Sequence, residues 1–191
     1  MKELENRILT DGKVLPGNIL KVGNFLNHTL DPDLIMNMGR EVARLYADAG
    51  VTKVLTVEAS GIPFAFAIGA VMHIPVVFAK KHNTSNIDTG VYSACVHSYT
   101  HNTDYNIIVG KEHISSDDKV LLADDFLAVG NALNGLIEIV TNAGATVAGC
   151  AIAIEKGFQR GGDKLREKGI RVESLALIDS MDSERGIVYR P

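Results

Sequence analysis

Two spacings of apolar residues alternate through this chain and divide it into elements. Leu4, Ile8 and Leu9 share one side of a short helix over residues 2–10, closed by Asp11-Gly12. Val14 to His28 has no helical period and reads as extended or irregular chain outside the main sheet. Composition fits a packing flap and a specificity-bearing appendage about equally well there. Asp31-Pro32 starts a helix, since Asp can cap and proline is tolerated at the first helical position. Leu34, Ile35, Met38, Val42, Leu45, Tyr46 and Ala49 keep its stripe, and Gly50 stops it. Residues 51–57 form a β-branched strand, followed by the small-residue turn Glu58-Ala-Ser-Gly61, an apolar helix to about Met72 and a strand over 74–79 that runs into Lys80-Lys81-His82. The polar stretch 83–104 predicts a β-hairpin excursion, and Ile107-Ile-Val109 is a further strand.

The second half repeats the alternation. Val120 to Ala123 is a buried strand, Asp124-Asp125 stands at its end, and a glycine-bearing turn leads into a helix marked by Leu133, Leu136, Ile137 and Val140. Residues 147–155 are an apolar strand, 156–162 a loop, 163–168 a short helix and 172–178 a last strand. Arg185 to Arg190 is a terminal strand candidate with no assignable partner. Strands alternating with helices indicate βαβ units, hence an α/β fold with a central, mostly parallel sheet flanked by helices.

Composition narrows this picture. A chain of 191 residues, 46% hydrophobic and 22% charged, suits one domain with a substantial core, and no linker interrupts it. The net charge of −4 argues against a general nucleic-acid binder. No apolar run approaches the ~20 residues of a membrane span. Cys95 and Cys150 form no metal motif and read as free thiols, which fits a cytoplasmic protein. The six histidines show no metal-ligand spacing.

In a parallel sheet the carboxyl ends of the strands are where ligands bind. The turn after Asp125 aims free backbone N–H groups into that crevice, which suits a phosphate, and the two acids suit hydroxyls or a divalent cation. Together they fit a phosphorylated sugar. Two other strand ends suit anions: the small residues Ala59-Ser60-Gly61 let backbone N–H groups approach closely, and Lys81 offers a point charge. Singly, an acid pair, a glycine turn or adjacent lysines are ordinary solvated features; three anion-suited strand ends in one chain are harder to dismiss.

The run Val120 to Ala132 resembles the phosphoribosyl pyrophosphate (PRPP) signature of the type I phosphoribosyltransferases. With Leu20, Phe25-Leu-Asn-His28, the Glu58-to-Gly61 turn, Phe78-Ala-Lys-Lys-His82 and Ile154-Glu-Lys-Gly-Phe-Gln159, the likeness extends over nearly the whole chain and is greatest to the branch of bacterial purine salvage that uses xanthine. That resemblance implies one phosphoribosyltransferase domain over 1–191, with a small hood formed by about 1–30 and 156–191. It implies that Ala128, Val129, Gly130, Asn131 and Ala132 hold the 5′-phosphate and that Asp124 and Asp125 face the ribose. Ala59, Ser60, Gly61 and Lys81 would receive pyrophosphate, and Tyr99 would belong to a loop closing over PRPP. Leu20, Asn27 and Lys156 would hold the base; Phe158 would stack on it or serve as a plain core aromatic. Mg²⁺ would arrive with PRPP, without direct protein ligands, and the chain would be a homodimer with no nucleic-acid or membrane partner.

Many relatives carry threonines in the phosphate loop; Val129 and Ala132 stand here instead, which leaves backbone N–H groups and Asn131 to bind. A xanthine pocket needs donors for two ring oxo groups, and the Lys156 ammonium has three and no acceptor. The alternatives are a hypoxanthine/guanine or adenine phosphoribosyltransferase and, in another class, a non-catalytic PRPP-sensing regulator, for which no added DNA-binding segment is visible.

Overall fold

The computed structural model describes residues 1–82, 89–98 and 103–190. Chain order is α1 (Lys2–Asp11), β1 (Lys13–Leu15), β2 (Ile19–Lys21), a π-helical turn (Gly23–Asn27), α2 (Pro32–Leu45), β3 (Lys53–Val57), α3 (Ile62–Met72), β4 (Val76–His82), β5 (Val91–Ser98), β6 (Thr103–Gly110), β7 (Lys119–Leu127), α4 (Asn131–Asn142), β8 (Thr146–Lys156), α5 (Gly161–Glu167), β9 (Val172–Asp182) and β10 (Gly186–Tyr189). Eight strands form one sheet in the order β10-β9-β8-β7-β3-β4-β6-β5, while β1 and β2 pair apart from it. The pairs β3–β4, β3–β7, β7–β8 and β8–β9 are parallel; β4–β6, β5–β6 and β9–β10 are antiparallel.

The crossover through α3 steps from β3 to β4, and the one through α4 steps from β7 the opposite way to β8. Right-handed crossovers running in opposite directions put their helices on opposite faces. Accordingly, one face packs α1, α2 and α3 around Leu4, Met38, Val42, Phe64 and Ile68. The other packs α4 and α5 around Leu133, Leu136, Ile139 and Leu165. The border of β3 and β7, where the order reverses, is the topological switch point.

Local signals held where they were self-contained. Asp31 caps α2 by accepting the Leu34 N–H at 3.1 Å, with Pro32 opening the first turn. The segment 14–28, expected to be extended or irregular and outside the main sheet, holds the β1–β2 hairpin, which pairs apart from that sheet, and the π-helical turn. Strand 107–109 extends back to Thr103 and pairs antiparallel with β5, as expected of a hairpin; residues 83–88 and 99–102 of the excursion lie outside the described residues. The 185–190 segment finds its place as β10, on the outer edge beside β9.

Candidate functional site

Strand β7 carries the site because its two neighbours stop at different heights. Pairing with β3 ends at Leu55–Leu122, whereas pairing with β8 continues to Leu127–Glu155. Asp124 and Asp125 therefore lie within the strand, supported on one side only, instead of beyond its end. Past Leu127 the chain turns through Ala128 to Gly130, whose φ of 91° is left-handed and suits glycine. No side chain caps α4, so the N–H groups of its first turn remain available to a ligand.

A cavity of about 220 Å³ is lined by Asp124, Phe126, Ala128, Val129, Gly130, Asn131 and Ala132, together with Val96, His97 and Tyr105. The structure thus unites one of the two acids with all five residues expected to hold the phosphate. Asp125 is buried beside the cavity, and its backbone N–H donates to Asp124 Oδ1 at 3.0 Å. Burial, then the neighbouring Asp125 charge, pushes Asp124 well above the usual carboxylate range, and the Lys81 charge opposes this.

The turn Ala59-Ser60-Gly61 approaches from β3. A Cβ placed on Gly61 would overlap Thr56 Oγ1 and lie 3.2 Å from Asp124 Oδ1, so the turn borders the acids. Lys81 reaches the same region: its ammonium stands 5.4 Å from the centre of the Tyr105 ring. Its backbone N–H donates to Glu58 Oε1 at 2.7 Å.

On the β8 side, Lys156 Nζ donates to the Asn18 carbonyl at 2.9 Å and stands 5.5 Å from the centre of Phe126. Burial pulls this ammonium below its ordinary range. The turn between β1 and β2 therefore holds Lys156 beside an aromatic ring of the cavity. Leu20 is buried on β2, two residues beyond Asn18. Asn27 is exposed at the end of the π-helical turn and does not line the cavity. Phe158 packs half-buried against the α1–α3 face. Tyr99 lies outside the described residues. The Asn131 amide donates to the His97 carbonyl at 2.9 Å and so ties α4 to β5.

Phe126 and Tyr105 were missed from sequence. Phe126 was within reach, since side chains two apart on a strand share a face and Asp124 already marked the cavity side. Tyr105 carried no local signal; the antiparallel pairing of β6 with β4 brings it in. Among the described residues no cluster of three His, Cys, Asp or Glu side chains could enclose a metal. Two neighbouring buried acids fit a hard cation only if a substrate supplies further oxygens. Cys150 is no nucleophile, since burial pushes its thiol up to about 12.

Residues 29–178 match the model of the phosphoribosyl transferase domain. The chain is 52% identical over 185 residues to a xanthine phosphoribosyltransferase of Lactiplantibacillus plantarum, covering 97% of this chain and 95% of that protein. It is 49% identical over 191 residues to one of Lachnoclostridium phytofermentans, covering 100% and 98%. Among solved structures, the adenine phosphoribosyltransferase of Giardia lamblia with 9-deazaadenine superposes with a TM-score of 0.74 at 22% identity, over 90% of this chain and 96% of that one. That of Rhodothermus marinus gives 0.73 at 21%, over 91% and 96%. At such identities these two structures speak for the fold alone.

Proposed function

The chain belongs to the phosphoribosyl transferase domain family, and we propose that it transfers the phosphoribosyl group of PRPP to xanthine, giving xanthosine 5′-monophosphate and pyrophosphate in purine salvage. One observation carries this reading. The Lys156 ammonium stands over Phe126, and that ring lines the same cavity as Asp124 and the loop before α4. An apolar ring, an acid and an anion-suited turn therefore face one space, and a base donor stands 5.5 Å from that ring. The curated relatives near 50% identity bear the same activity in their names.

The reaction is a displacement at the anomeric carbon. A purine nitrogen attacks as pyrophosphate leaves, and positive charge develops on the ribose. The N–H groups at the start of α4 anchor the 5′-phosphate. The 59–61 turn and Lys81 receive the leaving group. Asp124, kept reluctant to ionise by burial, gains most from a cation beside it, and the developing ribose charge is such a cation. Mg²⁺ arriving with PRPP would balance the pyrophosphate charge, without direct protein ligands. Lys156 donates to the ring oxo groups of xanthine and has no acceptor for the 6-amino group of adenine. Residues to about 30 and from 156 form the roof over the base, with Leu20 and Asn27 on it. The protein works in the cytoplasm as a homodimer, and exposed Phe66 (64%) and Phe78 (41%) support a paired face.

Steady-state rates with PRPP and xanthine, guanine, hypoxanthine or adenine, each alone, test the assignment. The expected result is the highest kcat/KM with xanthine. A preference for another base, or PRPP binding without product, would overturn it.

A further inference from the structure

A second segment presses on the phosphate loop from behind. The Gly161 N–H, at the start of α5, donates to the Ala128 carbonyl at 3.1 Å. A Cβ on Gly161 would overlap that carbonyl oxygen and stand 2.8 Å from Val129 C and 2.9 Å from Gly130 N. All three are backbone atoms, so no side chain can rotate aside. Gly161 does not have a left-handed φ, and proximity alone demands glycine there.

The next residue makes a similarly close approach to a different neighbour. A Cβ on Gly162 would overlap Glu155 Oε1 and lie 2.6 Å from its Cδ. Glu155 is fully buried, is held by Arg166 through two bonds of 3.0 and 2.7 Å, and directly precedes Lys156. One glycine pair therefore abuts the loop that binds phosphate and the carboxylate beside the base-reading lysine.

We propose that Gly161 is a positioning residue for the transfer reaction. Its bare Cα sets the height of the Ala128–Gly130 backbone, and with it the aim of the N–H groups that take the 5′-phosphate. The inference rests on reading that loop as the phosphate site of PRPP. The effect of a side chain at Gly161 falls on the phosphate ester, while xanthine, held from β8 and the β1–β2 turn, keeps its affinity.

Gly161→Ala tests this beside Gly39→Ala. A Cβ on Gly39 would stand 2.7 Å from the Ala67 carbonyl carbon and oxygen, where α2 crosses α3 away from the cavity, so that variant reports a purely structural cost. Displacing a positioning backbone by about 1 Å costs on the order of a hundredfold in a well-oriented site. We expect Gly161→Ala to raise the PRPP KM, and the Kd of ribose 5-phosphate by calorimetry, by roughly ten- to a hundredfold, with the xanthine KM within about twofold. Gly39→Ala lowers the melting temperature and leaves both ligand constants in place. Unchanged constants in Gly161→Ala, or an equal rise in Gly39→Ala, would overturn the proposal. Should Gly161→Ala not fold, hydrogen exchange on the native chain decides: saturating ribose 5-phosphate is expected to protect the Gly161 amide, and no added protection would overturn the proposal. A native chain that binds ribose 5-phosphate in this Gly161-dependent way but does not turn over xanthine would remove the base assignment and keep the positioning role. One that fails to bind ribose 5-phosphate would remove both.

Discussion

Asp124 shows what a site can cost its own fold. Its folded-state value is raised, chiefly by burial. Between the unfolded carboxylate value of about 3.9 and that raised value, the folded chain holds more protons than the unfolded one. Stability therefore falls as pH rises through this window, the reverse of the ordinary salt-bridged carboxylate. Asp124→Asn removes the burden: we expect a higher melting temperature than the native chain at pH 7–8, a difference that closes below about pH 4, and a large loss of kcat. Thermal melts across pH, paired with turnover, check both; a variant no more stable at pH 8 would show that Asp124 is not strained in the free protein. The acid pair was legible as a motif, yet its burial was not, because that depends on β8 continuing alongside β7 after β3 has turned away.

At the scale of elements, the end of β8 and the start of α5 act as one piece. Arg166 of α5 pairs twice with buried Glu155 and also donates to the Val172 carbonyl. The two partners are unequal: Glu155 has no exposure, while the Arg166 side chain keeps 34%. Arg166→Met leaves an uncompensated buried carboxylate and should cost about 3–5 kcal/mol. Glu155→Gln leaves a cation that water can reach and should cost clearly less. Denaturant unfolding of both variants tests the order, and equal losses would contradict it. Sequence periodicity marked β8 as an apolar strand but gave no sign that Glu155 was inside, since its partner lies 11 residues on, across a turn. Helix α2, by contrast, was readable because its cap, its opening proline and its stripe are all local.

At the scale of the whole molecule, the apolar side chains left outside matter most. Phe66 on α3 and Phe78 on β4 are large and exposed, whereas the other described aromatics are buried or half-buried. If this face joins two copies, Phe66→Glu should convert the dimer to a monomer in sedimentation at micromolar concentration while the melting curve stays cooperative. A native chain that already sediments as a monomer would refute the pairing. No described helix is long and apolar enough to cross a membrane.

The alternation of helical and strand periods, the capped start of α2, the acid pair of β7 and the glycine turn before α4 were all determined by residues near one another in sequence. Their information is carried by backbone preference and by which side of an element is apolar, and both are local. Only the tertiary structure decided that Tyr105 and His97 line the cavity of Asp124, that Lys156 lies over Phe126, and that Gly161 abuts the Ala128–Gly130 backbone. Those relations join segments tens of residues apart through strand order and close backbone approach. Side-chain pattern along the chain holds no record of either.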